Sequence, residues 1–401
     1  MLNVDRLTRL LPISMRRKVD TLLDLINMSK EVNNSRVVLG LLPSVGRGLV
    51  LQQGRNQPSA DMISGHAAHF TWDYRTDFPE MRDLYRRAKE NQWNADEVLD
   101  WSTDVDPMNP EVPLLDPRFF DIDGLSVYGV RLGEKERQRF LYSIMSWVLS
   151  QFLHGEQGAL LAAAQVTESV HWMDGKLYGA TQVMDEGRHV EVFDRYLETK
   201  LNKLYTINDN LFVIIDALTT DSRWDMKFLG MQIMIEGLAL GAFGTIFRLT
   251  SEPLLKEMLR YVIQDEARHV HFGVLALREH IAKGLSEKER VERADWAFEV
   301  ALLMRNRFLM HEVYEEWFEG MMTRRQWDEA VNSTPGMIEF RRVMFSRLIP
   351  NLRYIGLMPE RMHRHYAAAG LMDYYDGADA SQLDHDKMMN DLENQSLESV
   401  L

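Results

Sequence analysis

Two five-residue stretches of this sequence nearly repeat each other, and both carry side chains that suit a metal ion. They read Asp-Glu-Gly-Arg-His at residues 185–189 and Asp-Glu-Ala-Arg-His at residues 265–269. Each stretch contains Glu-x-x-His, and residues three apart on a helix lie on the same face. Each stretch therefore points one carboxylate and one imidazole in the same direction.

A further glutamate precedes each repeat at the same distance, within an apolar stretch. Glu156 lies thirty residues before Glu186, and Glu236 lies thirty residues before Glu266. A lone carboxylate would be costly to bury there, but four carboxylates and two imidazoles that converge would bind two divalent metal ions. The predicted metal ligands, which are also the predicted catalytic residues, are Glu156, Glu186, His189, Glu236, Glu266 and His269.

The thirty-residue spacing agrees with helix hairpins that leave the metal level and return to it. About fifteen residues in each direction correspond to roughly 22 Å of helix. The midpoints hold Thr-Ser-Glu-Pro at residues 250–253 and residues 169–176, which include Asp174-Gly175. Both segments carry helix-stop and turn residues, so we predict one turn in each.

Composition limits the possible functions. The 401 residues carry a net charge of −14 and no cysteine, which gives no support to nucleic-acid binding and excludes disulfides, thiolate sites and iron–sulfur clusters. Glutamate and histidine suit iron or manganese. Residues 228–247 are apolar enough to suggest a membrane span, but the predicted ligand Glu236 favours a buried core helix. We therefore expect a cytoplasmic protein without a transmembrane segment.

The predicted fold class is all-α, a four-helix di-metal bundle with additional N- and C-terminal helices. Its long helices are expected near residues 133–170, 177–201, 224–249, 253–283 and 286–318. The expected regions are an N-terminal helical and proline-rich covering region (1–130), the bundle (131–318), C-terminal helices (319–372) and an acidic tail (373–401).

The two repeats and their preceding glutamates resemble the ligand motifs of carboxylate-bridged non-haem di-iron oxygenases. The most similar pattern is that of bacterial multicomponent monooxygenase hydroxylase subunits, and the resemblance covers roughly residues 133–285. It implies a ferritin-like bundle, two iron ions (with manganese possible at one site) and dioxygen as co-substrate. It also implies that Asp185 orients His269 and that Asp265 orients His189. Arg188 and Arg268 are the expected charge partners of these aspartates, with surface ion pairing as the alternative.

Three positions depart from related patterns. Leu240 stands where those monooxygenases carry a threonine that is thought to help proton delivery. Phe193 stands where ribonucleotide reductase small subunits carry a radical tyrosine, and Val262 stands where arylamine N-oxygenases add a histidine ligand. The resemblance therefore favours neither a tyrosyl-radical generator nor N-oxygenation.

The function that the resemblance implies is oxidation of a small organic substrate by hydroxylation, epoxidation or rearrangement. The expected pocket is largely apolar, which favours an apolar or aromatic substrate; its residues are Phe152, Ala159, Tyr178, Gln182, Phe193, Gln232 and Leu240. No flavin, nicotinamide or iron–sulfur motif is present, so we expect an external electron donor, a reductase or ferredoxin. A homodimer is a separate expectation for the assembly of this chain. The alternatives are a ferritin-type ferroxidase or iron-handling protein and a Mn/Fe-type oxidase of the same fold.

Overall fold

The computed structural model describes residues 11–31 and 34–382. Within these residues the chain is helical and contains no strand, apart from an isolated bridge between Glu319 and Met322. The prediction of an all-α fold is confirmed. Residues 1–10, the start of the predicted N-terminal covering region, lie outside the described residues.

The helices are named here in chain order. They are α1 (Ile13–Glu31), α2 (Ser35–Val45), α3 (Pro79–Glu90), α4 (Glu134–Ser169), α5 (Met173–Tyr196), α6 (Asp209–Thr220), α7 (Trp224–Leu249), α8 (Pro253–Glu279), α9 (Glu287–Arg307), α10 (His311–Trp317), α11 (Arg324–Ser333), α12 (Pro335–Tyr354) and α13 (Glu360–Ala368). Single helical turns lie at Gln53–Asn56 and Ala95–Val98. Short 3₁₀ turns lie at Pro117–Phe119, Asp123–Tyr128, Met372–Tyr374 and Ala380–Gln382. Wider π-helical turns follow α2, α5 and α8, at Gly46–Val50, Leu197–Leu201 and His280–Gly284.

Four long helices form the bundle: α4 packs along α5, α7 packs along α8, and α8 also contacts α5. The α7–α8 turn falls where the sequence predicts it. Glu252 caps α8 by accepting hydrogen bonds from the backbone N–H groups of Leu254 (2.9 Å) and Leu255 (2.7 Å). Pro253 occupies the first helical position, where its missing N–H costs nothing.

The α4–α5 turn falls at residues 170–172, and the Asp174-Gly175 pair lies in the first turn of α5 rather than in the connection. Asp174 is fully buried and caps a different helix. Its Oδ2 accepts hydrogen bonds from the backbone N–H groups of Asp77 and Phe78, both at 2.9 Å, immediately before α3. Asp174, which the sequence places in a predicted turn, therefore anchors the start of α3 to the bundle.

Two further predictions differ from the structure. The expected single helix over residues 286–318 is broken between α9 and α10, where Met310 has a left-handed φ of 50° and the Leu309 carbonyl accepts a hydrogen bond from Trp327 Nε1 (2.5 Å). The first part of the expected acidic tail is packed, because the Ala380 N–H donates to Asn351 Oδ1 at 2.7 Å. Residues 383–401 lie outside the described residues.

Helix α7 lies at the centre of the molecule. It is the one helix of the described residues that is long and apolar enough to cross a membrane, and 94% of its most apolar window is buried inside the protein. Helix α12 crosses α7 so closely that a Cβ at Gly241 would lie 2.8 Å from the Met344 Cα. Glycine is required there because the α12 backbone occupies the space of a side chain.

Candidate metal centre

All six predicted ligands converge inside the bundle, and each is at most 5% exposed. They form two groups in which the possible ligand atoms lie within 4.8 Å of one another. The first group is Glu156, Glu186, His189 and Glu266, and the second is Glu186, Glu236 and His269. Because Glu186 belongs to both groups, its carboxylate lies between the two positions that an ion would occupy.

Each bundle helix contributes at the same level. Helix α4 supplies Glu156, α5 supplies the first Glu-x-x-His pair, α7 supplies Glu236, and α8 supplies the second pair. Helix α7 contains a π-helical stretch, Leu229–Ile235, that ends immediately before Glu236. Such widened turns change which residues of a helix face its neighbours and are frequent at functional sites.

The inward-facing atoms fit a pair of divalent cations. Both Glu266 carboxylate oxygens, one oxygen each of Glu186 and Glu236, and His269 Nδ1 are buried without a hydrogen-bond partner. His189 Nδ1 lies 3.2 Å from Glu266 Oε1 and 3.5 Å from Glu186 Oε2. Buried polar atoms without partners are costly, and a concentration of carboxylate and imidazole donors at one point matches what iron or manganese binds.

Burial and neighbouring charge shift the protonation of these groups. Burial raises the pKa of Glu156 and of Glu236 well above the usual range, and the nearby carboxylates add to the effect. Burial opposes a charged imidazole, but the hydrogen bonds of His189 to Asp265 and Glu156, together with the nearby Glu186 and Glu266 carboxylates, outweigh it and raise the pKa of His189. Nearby carboxylates raise the pKa of His269 in the same way. Metal ions must therefore displace protons from these four groups when they bind.

The aspartates of the two repeats cross over between the helices. His189 Nε2 donates to Asp265 Oδ2 and His269 Nε2 donates to Asp185 Oδ2, each at 3.2 Å. The structure thus shows the arrangement that the resemblance implies. In the neutral, metal-binding form of each ring, these bonds keep the proton on Nε2 and leave the Nδ1 lone pair for an ion.

Arginines of the repeats complete the outer layer. Arg188 Nη2 bonds to both aspartates, at 2.5 Å to Asp185 and 2.9 Å to Asp265. Arg268 bonds to Asp265. Both arginines are less than 10% exposed, so these contacts are buried ion pairs rather than pairs on a solvated surface.

Two residues that the sequence did not assign to the site also hold the aspartates. The indole N–H of Trp93 donates to Asp265 Oδ2 at 2.8 Å, and Gln92 Nε2 donates to Asp185 Oδ1 at 2.9 Å. Both residues follow α3, which packs on α5 and α8. No sequence signal indicates this role, because the residues are separated by more than ninety positions from the aspartates and belong to no repeat.

No family model and no curated protein matches the chain. Among solved structures it is similar to R2-like ligand-binding oxidase variants with an anaerobically reconstituted Mn/Fe cofactor, with TM-scores of 0.42 and 0.43 and 17% identity, over 68% and 70% of this chain and 95% of those chains. An aerobically reconstituted variant gives a TM-score of 0.41 and 16% identity over 67% of this chain and 93% of that chain. At these values the assignment rests on the helices and the site themselves.

The chain folds as a helical bundle with a candidate site for two metal ions. Helices α4 and α7 each carry one glutamate, α5 and α8 each carry a Glu-x-x-His pair, and all six side chains project inward, which is the ligand pattern of ferritin-like di-metal bundles.

The predicted pocket residues of this bundle are all buried, at 4% exposure or less. Phe152 and Phe193 pack against Phe243, with ring centroids at 4.5 Å and 5.8 Å from it. Ala159 and Leu240 lie in the same apolar core. The remaining three are more polar: Tyr178 packs against Phe272 with the two rings tilted by 52°, while Gln182 and Gln232 are hydrogen-bonded to each other at 3.4 Å. Gln182 also contacts two of the ligands directly.

Proposed function

We propose that this protein is a di-metal oxidoreductase that activates dioxygen and oxidises an apolar or aromatic organic substrate. The observation that carries the proposal is the buried set of six ligands with their free donor atoms facing one another. Two iron ions are the proposed occupants, and a manganese and iron pair is the second form of the same proposal.

When bound, two such ions would supply two electrons to dioxygen together. The chain contributes the environment for that chemistry. The carboxylate of Glu186 is shared by both groups, and the two Glu266 oxygens have no hydrogen-bond donor that would fix them. The Glu266 side chain is therefore free to change its contacts as charge at the site changes, whereas Gln182 holds one oxygen of Glu186. The Asp265 and Asp185 hydrogen bonds hold the imidazoles in one orientation meanwhile.

Apolar surroundings support an apolar substrate. Phe152 lies one helical turn before Glu156, and Phe193 lies one helical turn after His189. Both rings pack with Phe243 in a buried aromatic cluster. Such a cluster excludes water and offers aromatic contact to a substrate. Electrons for repeated turnover are proposed to come from a separate reductase or ferredoxin, because the sequence carries no motif for a redox cofactor other than the metal site.

A ferritin-type ferroxidase is the competing proposal, since it needs the same ligands. The additional segments favour an enzyme with an organic substrate. Helix α3 and residues 92–93 pack over the histidine side of the bundle and bond to Asp185 and Asp265. An iron-storage bundle requires no such covering segment over its metal centre.

The test is a labelling experiment. The protein is loaded with ferrous iron, supplied with a chemical or protein electron donor, and exposed to ¹⁸O₂ with a panel of apolar and aromatic compounds. We expect labelled oxygen in an organic product in amounts that exceed the protein, and none from Glu236→Ala. Accumulation of many irons per chain as a mineral core, with no labelled product, would instead establish the ferroxidase.

A further inference from the structure

An amide side chain contacts the ligands on one side of the site only. Gln182 lies four residues before Glu186 on α5 and is fully buried. Its Nε2 donates to Glu186 Oε1 at 3.1 Å and to Glu236 Oε1 at 2.9 Å. When metal ions are bound, both carboxylates are ionised and only accept hydrogen bonds, so the NH₂ end of the amide must face them.

These two bonds leave the other oxygen of each carboxylate for a metal ion. Glu186 Oε2 and Glu236 Oε2 are both buried without a hydrogen-bond partner, while the Oε1 atoms are held by Gln182. On Glu186 the oxygen held by Gln182, Oε1, lies 3.1 Å from His269 Nδ1, and the other oxygen lies 3.5 Å from His189 Nδ1. The amide therefore fixes which oxygen of Glu186 faces each of the two positions.

A second amide supports the first. Gln232 Nε2 donates to Gln182 Oε1 at 3.4 Å, and Gln232 lies in the π-helical stretch four residues before Glu236. Gly273 of α8 makes room for it, since a Cβ at that position would lie 2.5 Å from the Gln232 Cβ. The close approach of α8 thus restricts the position of Gln232, which in turn supports the orientation of Gln182.

The other side of the site has no equivalent. The residue four before Glu266 is Val262, and the residue four before Glu156 is Phe152. Neither side chain can donate a hydrogen bond. The unpaired state of both Glu266 oxygens agrees with this difference.

We propose that Gln182 is a positioning residue that makes the two metal positions unequal. It bonds to two of the three residues of the second position, Glu186 and Glu236, whereas in the first position it bonds to the shared Glu186 alone. The inference rests on the part of the proposed function that has two ions bind, and it does not depend on the oxidation reaction.

The experiment measures metal binding to the full chain. Wild-type protein, Gln182→Met and Gln232→Met are titrated with Mn²⁺, with free ion followed by electron paramagnetic resonance, and with Fe²⁺ against a competing chelator. We expect about two ions for wild type. In Q182M we expect the ion in the second position to bind about 10–100-fold more weakly. This is the usual loss when a group that orients a ligand is removed. Q232M acts one step further away, so its loss is expected to be smaller.

The affinity of the ion in the first position distinguishes a positioning role of Gln182 from a general packing defect. A positioning role weakens the ion in the second position, which loses support at both Glu186 and Glu236, more than the ion in the first position, which shares only Glu186. A merely structural role weakens both ions equally. Unchanged affinity for both ions, or equal loss of both, would overturn the proposal. If Q182M does not fold, Gln182→Asn retains the amide but is too short to reach both carboxylates, and the same selective loss is expected. Wild-type protein that binds two ions but oxidises nothing would contradict the proposed function alone.

Discussion

The two helix hairpins of the bundle, α4–α5 and α7–α8, supply the same ligand types but different neighbours. Each hairpin gives a glutamate and, thirty residues later, a Glu-x-x-His pair. At the position one helical turn before each glutamate, the four helices carry Phe152, Gln182, Gln232 and Val262. The repeated ligands explain why two ions should bind, whereas the neighbours that are not repeated explain why the two positions should differ.

The aspartates that hold the histidines show a similar inequality. Asp265 accepts hydrogen bonds from His189, Arg188, Arg268 and the indole of Trp93. Asp185 accepts from His269, Arg188 and Gln92, and Arg268 approaches it only to 3.9 Å. The histidine of the first position is therefore supported by the more highly charged network.

The largest effect is expected at the shared ligand. Glu186→Ala removes a donor from both groups, so we expect the loss of both ions, with affinities reduced by at least about 100-fold. Glu156→Ala and Glu236→Ala should each weaken mainly one position. Elemental analysis after iron loading measures the number of ions retained.

Histidines outside the site are the controls for this series. His154 bonds to the Tyr205 carbonyl at 2.9 Å, and His171 stacks on His69. Changing His154 or His171 to Gln should leave two ions bound. Retention of two ions in E186A would contradict the assignment of Glu186 to both positions.

The second effect compares the two aspartates. Asp265→Asn leaves two buried arginines with less compensating charge, which should destabilise the metal-free protein by about 3 kcal/mol. Asp185→Asn leaves the Arg188 contact with Asp265 in place, so the loss should be roughly 1–2 kcal/mol. Chemical denaturation gives both values. Equal losses would show that the two networks are equivalent after all.

The sequence predicted the ligands because their chemistry repeats. Glu-x-x-His on a helix and a glutamate at a fixed distance are local patterns, and they led to the four bundle helices and the α7–α8 turn. The residue types also placed Asp185 and Asp265 next to the ligands, and the resemblance supplied the crossover between them.

Tertiary contacts explain what the sequence did not reveal. Asp174 reads as a turn residue, but it caps a helix that lies almost a hundred positions earlier in the chain. Gln92 and Trp93 act on the aspartates only because α3 packs across the bundle. The break between α9 and α10 carries no glycine or proline, and it depends on the left-handed backbone of Met310 and on a bond to Trp327.

The third prediction concerns pH and the metal-free site. Glu156, Glu236, His189 and His269 all have a raised pKa in the folded protein. A group with a raised pKa contributes stability below its unfolded pKa, and that stability is lost as the pH rises through the folded pKa. The metal-free protein should therefore lose stability as the pH rises above the ordinary glutamate and histidine values.

Bound metal removes this dependence, because the ligands are then already deprotonated. The difference in thermal midpoint between metal-loaded and metal-free protein should widen with increasing pH, and metal binding should release protons to the buffer. Calorimetric titration in buffers of different ionisation enthalpy counts the protons. A difference that narrows with increasing pH would mean that the four groups are unprotonated in the metal-free protein.

The smallest effect compares two sides of the site. The aromatic side is formed by Phe152, Phe193 and Phe243, and the amide side by Gln182 and Gln232. Phe243 is fully buried between Phe152 and Phe193, so the hydroxyl added by Phe243→Tyr would be buried among rings without a partner, at a cost of about 1–3 kcal/mol. Gln232→Met removes one long hydrogen bond together with a buried carbonyl oxygen that has no partner, so its cost to the metal-free protein should be within about 1 kcal/mol of zero. Chemical denaturation of both variants without metal measures the difference between their free energies of unfolding.

If F243Y is as stable as wild type, its hydroxyl has found a hydrogen-bond partner. The aromatic side would then be open to water or to a polar substrate group, and the two sides of the site would differ less than their residues imply.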